Sequence, residues 1–193
     1  MRFGLRLANS GPFASTEAIT AMATTAERLG YDAVSVHDHV NWGYEDRYHF
    51  YAGSKEAADA ADQLTNFYDA ISSLAYLAGI TRRVRLVPAA LCLAWRPIVL
   101  FARQVLTLHH LSGGRFVLCV CVGNIRRDFE VSGTPWEERG RIGVEKLKVL
   151  RMLIDRPGPL SFEGDYVKFK DAELTPQPTG LPLWYAGISD TAV

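Results

Sequence analysis

The sequence has no long apolar run, no surplus of either charge and very little cysteine, and each shortage removes a class of protein. Its most apolar stretch, Leu86 to Trp95, is too short to cross a bilayer and contains Pro88. Met1 to Gly11 carries Arg2 and Arg6 and lacks an apolar core of signal-peptide length, so a cytoplasmic protein is expected. Twenty-one basic residues balance twenty-one acidic ones, leaving no overall field to attract nucleic acid or acidic lipid. The local runs Arg82 to Arg85 and Arg126-Arg127 read as solvated charges. Cys92, Cys119 and Cys121 are the only cysteines. Cys119 and Cys121 lie two apart on a strand-like run and share a face, a spacing poor for a disulfide and too sparse for zinc. Buried free thiols are the expected state.

Several chemical signatures are missing as well. The turn after the first strand is Asn9-Ser-Gly-Pro12, where a dinucleotide fold would need a glycine fingerprint, and Pro12 has no amide to offer a phosphate. There is no G-x-S-x-G elbow, and the cysteines lie inside strands and not at a helix N-terminus. His37 and His39 have the spacing of a paired metal site. No histidine follows His110 to complete one, so no metal is expected.

What is present is a strand–helix rhythm over 193 residues, enough for one domain with a real core. Arg2 to Ala8 reads as the first strand. Ser15 or Thr16 caps a helix with Ile19, Met22, Ala23, Ala26 and Leu29 at helical spacing, stopped by Gly30. Ala33 to Val36 follows as a short strand covered on both faces. Asn66 or Asp69 opens a helix ending at Gly79, and Val84 to Leu93 is a third strand interrupted by Pro88. Pro97 starts a helix that Ser112-Gly-Gly114 stops. Arg115 to Val122 is the plainest buried strand, and a charged helix with Ile142, Leu147, Leu150 and Ile154 inward comes next. Ser161 to Phe169 reads as a hairpin turning at Glu163-Gly164. Leu183 to Ala186 is a fifth core strand. Residues 41 to 66 break the rhythm with Trp42, Tyr44, Tyr48, Phe50 and Tyr51 and a possible short helix from Lys55 to Asp62. They form either a lid or substrate wall, or an insertion packing on itself.

The alternation implies a parallel sheet with right-handed crossovers. Polar residues fall after each strand in turn, at Asn9, His39, Cys92, Asn124 and Ser189. That ring favours a (β/α) barrel of the TIM type over an open sheet, with about five of eight strands on this chain. The densest chemistry is His37-Asp38-His39 with Trp42 just beyond, at the end of a buried strand where parallel α/β proteins build their sites. Ala186-Gly187-Ile188-Ser189 is small enough for a backbone to approach an anion, with a following helix start aimed at it.

The segments Ala26 to His39, Arg96 to Gln104, Thr107 to Arg115, Trp136 to Arg141, Ser161 to Gly164 and Pro182 to Gly187 together resemble the luciferase-like flavin and deazaflavin oxidoreductases, in their coenzyme F420-dependent branch. The resemblance covers residues 1–193 as a single barrel domain, its N-terminal portion, with insertions at 41–66 and 160–170. It implies a barrel binding F420, or alternatively FMN, at the C-terminal ends of its strands. Asp38 and His39 match the pair placed against the cofactor, His39 serving in proton transfer during hydride exchange, with Trp42 beside them. Imidazole titrates near neutral pH, which suits that role. Ala89-Ala90 matches a bulged site with a cis peptide behind the ring. Ala186, Gly187, Ile188 and Ser189 match the turn that holds the cofactor's phosphate tail, and Asn124 joins the cofactor-binding set. Cys119 and Cys121 stand where the family usually has glycines. Asn124 stands where sugar-phosphate dehydrogenases of the family have a glutamate, and two residues separate His39 from Trp42 where they have three. The family barrel has three more strands, so the chain is expected to be a fragment or to take its missing wall from another chain. The implied activity is hydride transfer between F420 and a small organic substrate, in a homodimer. The alternatives are an FMN-dependent monooxygenase and a truncated flavin-binding or dimerisation module without turnover.

Overall fold

The computed structural model describes residues 1–11, 13–40, 66–178 and 180–187. The possible helix from Lys55 to Asp62 lies outside them, as do Trp42, Ile188 and Ser189. Strand β1 (Gly4–Arg6) leads to helix α1 (Thr16–Arg28), and Ser15 caps that helix by accepting from the Ala18 amide at 3.0 Å. Strand β2 (Ala33–Val36) and helix α2 (Ala70–Ile80) follow, and the Asp69 carboxylate caps α2 on the Ser72 amide at 2.7 Å. Each cap satisfies one of the amides that a helix start leaves without an intrahelical partner. Leu29, in phase with the apolar stripe of α1, is 63% exposed because it sits at the C-cap, past the last packed turn.

The expected third strand is two strands, β3 (Arg85–Pro88) and β4 (Leu91–Cys92), separated by a cis Ala89–Ala90 peptide. Pro97 occupies the N-cap of α3 (Ile98–Leu111), one place before the first helical position. Strand β5 (Leu118–Cys121) leads into α4 (Arg126–Ser132), a short helix that sequence patterning did not reveal, and then α5 (Arg139–Asp155). The hairpin β6 (Leu160–Glu163) and β7 (Lys168–Ala172) is antiparallel, and β8 (Leu183–Tyr185) ends the series.

β1-β2-β3 and β4-β5-β8 form two parallel sheets. They join where Leu86 donates to the Arg115 carbonyl at 3.1 Å and accepts from the Val117 amide at 3.0 Å. The result is six parallel strands, β3 and β4 together filling the place of the expected third, in a barrel-type run with helices packed on the outer face. Val34, Val36, Leu86, Phe116, Leu118 and Val120 are all 0% exposed and form the core with Phe101, Val105, Val149 and Leu150. The other face is not covered to the same degree. Burial alternates along β2 and β5, so Ser35, Cys119 and Cys121 are only partly buried. The expectations of a doubly covered β2 and of three buried thiols are corrected accordingly: the inner face of the sheet looks into open cavities, and only Cys92 is fully buried. All three thiols are free.

Hydrogen bonds tie the strand ends together. Asn9, 0% exposed, accepts from the His37 amide at 3.1 Å and donates to the His37 carbonyl at 2.9 Å and the Tyr68 carbonyl at 3.1 Å. His37 accepts at Nδ1 from Arg6 Nη2 at 2.8 Å, which leaves Nε2 to donate to Ser10 Oγ at 2.6 Å. Asn9 and His37 are therefore struts between β1 and β2. Burial, then the Arg6 and His39 charges, lowers the His37 pKa to about 3.

Two tests follow from these contacts. A Cβ on Gly143 of α5 would lie 2.4 Å from Val122 Cγ1, so the helix meets the end of β5 through a glycine. Alanine would gain about 1 kcal/mol in helix propensity but would overpack this contact at a typical cost of about 1–3 kcal/mol. Gly143→Ala should lower the urea midpoint, and adding Val122→Ala should restore part of it; a rise in the single variant would contradict the close approach. For His37 the folded pKa lies below the ordinary 6.5, so the unfolded chain takes up a proton that the folded chain refuses. That contribution is complete above pH 6.5 and is lost as pH falls towards 3, by at most about 1.4 kcal/mol per pH unit. Urea midpoints at pH 7, 6 and 5 should fall more steeply for the wild type than for His37→Gln, and parallel profiles would count against a neutral strut.

Candidate functional site

The end of β2 turns its polar residues towards three different partners. While His37 points back to β1, Asp38 reaches across to the break between β3 and β4. Asp38 Oδ2 accepts from the Cys92 amide at 3.0 Å and Oδ1 from Arg96 Nη2 at 2.5 Å. Its side chain is 3% exposed and that of Arg96 14%, so this is a charge-assisted pair largely out of water. Lys146 of α5 holds the Arg96 segment from behind, donating to the carbonyls of Ala94 at 2.6 Å and Arg96 at 2.8 Å. Burial lowers the Lys146 pKa.

His39 faces α4. Its Nδ1 lies 2.8 Å from Asp128 Oδ2, and the Val40 amide donates to Asp128 Oδ1 at 2.9 Å. Asp128 is 0% exposed, a carboxylate placed entirely inside the protein at the first turn of a seven-residue helix. Phe129, also 0% exposed, locks that helix in place with its ring centroid 5.2 Å from Trp95 and 5.1 Å from Trp136. Gly123, at φ +87°, provides the turn between β5 and α4; an added Cβ would lie 2.8 Å from Phe129 and 2.9 Å from Cys92 Sγ. Asp128 was not among the sequence candidates. Arg126-Arg127-Asp128 reads as solvated charge, and only the acidic residue just inside a helix start hints at a terminus.

Three adjoining cavities surround these groups. One of about 260 Å³ is lined by His37, Asp38, His39, Ala89, Ala90, Cys92, Cys121 and Asn124, among others. A second, of about 650 Å³, shares Ala89, Ala90, Cys121, Gly123 and Asn124 with the first and extends to Cys119, Trp136, Arg139, Ala186 and Gly187. A third, of about 380 Å³, lies on the other side of Asp38 and His39, against Val40, Phe67, Trp95 and Arg96. Of the candidates, Asp38, His39, Ala89, Ala90, Asn124, Ala186 and Gly187 are brought to these connected spaces.

The thiols form part of the floor. Cys92 and Cys121 are register partners on adjacent strands. Burial pushes the Cys92 thiol strongly up, whereas Cys121, accepting the hydrogen bond of the Cys92 thiol, is lowered. Burial raises Cys119 to about 11. Arg139 stacks over the Trp136 ring at 3.8 Å and forms the far wall. Among the described residues no group of three or more His, Cys, Asp or Glu side chains could hold a metal ion, and no helix is long and apolar enough to cross a membrane.

Comparison with known proteins bears on the family and the fold. An uncharacterised protein of Mycobacterium tuberculosis is 28% identical over 176 residues, covering 89% of this chain and 59% of the relative. The FMNH2-dependent dimethylsulfone monooxygenase of Pseudomonas putida is 29% identical over 135 residues, 68% of this chain and 37% of that protein. Among solved structures, an F420-dependent secondary alcohol dehydrogenase bound to an F420–acetone adduct superposes with a TM-score of 0.81 at 24% identity. It covers 99% of this chain and 53% of that one. A riboflavin lyase superposes with a TM-score of 0.77 at 19% identity, over 100% of this chain and 51% of that one. The structural likenesses show the fold, and the chain spans roughly half the length of the proteins it matches. The luciferase-like monooxygenase family matches residues 1–193, and the chain belongs to it.

Proposed function

We propose that this chain forms the cofactor-facing part of an oxidoreductase that binds the deazaflavin coenzyme F420 and exchanges a hydride between it and a small organic substrate. The observation that carries the reading is His39, at the junction of two cavities and hydrogen-bonded to a carboxylate with no solvent exposure. An imidazole so placed accepts or returns a proton while electrons move elsewhere.

The residues present fit a flat, largely apolar ring system. The cavity of about 650 Å³ lies in the range of small-molecule and cofactor sites. Its walls are mainly small or apolar (Ala89, Ala90, Val122, Ala186, Gly187), with Cys119 and Cys121 on one side. Ala89, Ala90 and Asn124 would line the ring, and Ala186 and Gly187 begin the turn assigned to the phosphate tail, with Ile188 and Ser189 next in sequence. When bound, F420 supplies the position that accepts or gives the hydride. Asp38 has an intramolecular partner on each oxygen and is assigned an orienting role, joining the end of β2 to the β3–β4 break and to Arg96. His39 moves the substrate proton. Trp42, three residues beyond His39 in sequence, is proposed as a wall of the substrate space.

A second reading has a specific observation behind it: the Pseudomonas relative is FMNH2-dependent, which favours an FMN monooxygenase on the same scaffold. Fluorescence titration with F420 and, separately, with FMN separates the two. F420 binding at least about tenfold tighter than FMN, a difference of about 1.4 kcal/mol, is the expected result. A preference for FMN would transfer the assignment to the monooxygenase, and binding of neither would overturn both for this chain. Under turnover, His39→Ala should cut kcat by about 10²–10⁴-fold with cofactor Kd almost unchanged; equal loss of both would remove His39 from proton transfer.

A further inference from the structure

We propose that Cys92 and Cys121 form a peroxide-responsive thiol pair in the cavity floor, in which hydrogen peroxide oxidises Cys121 and Cys92 then closes a disulfide between β4 and β5. The inference goes beyond the hydride-transfer reading and holds whichever cofactor the cavities take.

Geometry comes first. Cys92 and Cys121 are register partners on adjacent parallel strands. Neighbouring strands run about 4.7–4.9 Å apart, within the Cα separation of about 4.4–6.8 Å that a disulfide spans. Both side chains line the cavity of about 260 Å³, and the Cys92 thiol donates its hydrogen bond to Cys121 Sγ. Cys119 supplies an internal contrast. It lies two residues before Cys121 on the same strand, its partner across on β8 is Trp184, and burial raises its thiol to about 11.

The two sulfurs are unequal, and that sets the order of events. Cys92 is 1% exposed and packed with Ala94, Phe129 and Ile142, and a Cβ on Gly123 would lie 2.9 Å from its sulfur. Cys121 is partly exposed and opens on both the first and the second cavity. The hydrogen bond from Cys92, and then the Gly123 amide, lower the Cys121 pKa against the effect of burial, while the Asp38 and Arg96 charges oppose each other. When protonated, Cys121 faces the Ala90 carbonyl, 3.7 Å from its sulfur. Access, a lowered pKa and a second thiol alongside are the features of a cysteine that oxidises reversibly.

In the first step the Cys121 thiolate attacks one oxygen of hydrogen peroxide and the O–O bond breaks. The departing oxygen takes up a proton and leaves as water, and Cys121 is now a sulfenic acid. In the second step the Cys92 sulfur attacks the Cys121 sulfur and the S–O bond breaks. The hydroxide leaves with the Cys92 proton as a second water, so the dithiol has lost the electron pair that the peroxide gained. Burial, then the hydrogen bond and charge of Cys121, hold the Cys92 thiol up. Oxidation of Cys121 removes its charge, which frees Cys92 to react second.

The test needs only the purified chain and hydrogen peroxide. After brief exposure the remaining thiols are alkylated and tryptic peptides are mapped by mass. The peptide 86–103, which holds Cys92, should be joined to 116–126, with the bond at Cys121 and the alkyl group at Cys119. Dithiothreitol should return every thiol to the free form. Cys119→Ser should form the same bond, and Cys121→Ser should lose thiols at least about tenfold more slowly than the wild type. Cys92→Ser should stop at a sulfenic acid on Cys121 that dimedone traps. A bond that includes Cys119 or joins two molecules overturns the proposal, as does a Cys121 that stays free or passes to sulfinic acid without a crosslink. In urea the preference for the Cys92–Cys121 bond should vanish; its persistence at the folded yield would remove the strand register as its cause. If a variant fails to fold, the wild-type map decides alone.

Discussion

The constraint on which the site depends is a carboxylate with no access to water. Asp128 is tolerated at 0% exposure because the Val40 amide and the His39 ring, both from the end of β2, are brought to it across 89 residues of chain. Placing those groups requires β2 to end where it does and α4 to be held by Phe129, and the tight Gly123 turn makes the second possible. The same strand end supplies a second buried carboxylate, Asp38, to the β3–β4 break. One short run of sequence thus orients both sides of the cavity. Breaking either pair would take a partner from a buried acidic group, which is why such networks hold geometry more firmly than they add stability.

Much of the scaffold is legible without coordinates. Ser15 and Asp69 are capping residues followed by apolar residues at helical spacing, and both caps form. The hairpin near Glu163-Gly164 forms because strand-like residues flank a turn dipeptide. The placement of Asp38, His39, Ala89 and Ala90 around one space follows from the rule that parallel strands gather their C-terminal ends. The family resemblance adds what periodicity does not contain, namely the cis peptide after Pro88.

What was not legible depends on tertiary contact. Asp128 lies in a polar run whose local chemistry resembles an exposed helix end, and its burial arises only when His39 and Val40 arrive from far away in sequence. Leu29 keeps helical phase yet is exposed, since periodicity does not show where packing stops. The half-open faces of Cys119 and Cys121 escape a pattern argument too: an apolar run reads as buried on both sides whether the second side meets a helix or a cavity. Asn9 and His37 carry site-like chemistry and are used as struts, which no spacing distinguishes from a ligand pair.

Placement of the cofactor is the central claim, and a crystal structure of the chain soaked with F420 or FMN tests it most directly. The account requires ring density against Ala89–Ala90, between His39 and Cys121, with the tail running towards Ala186 and Gly187. Density for the ring anywhere else, with these cavities left to solvent, would contradict it.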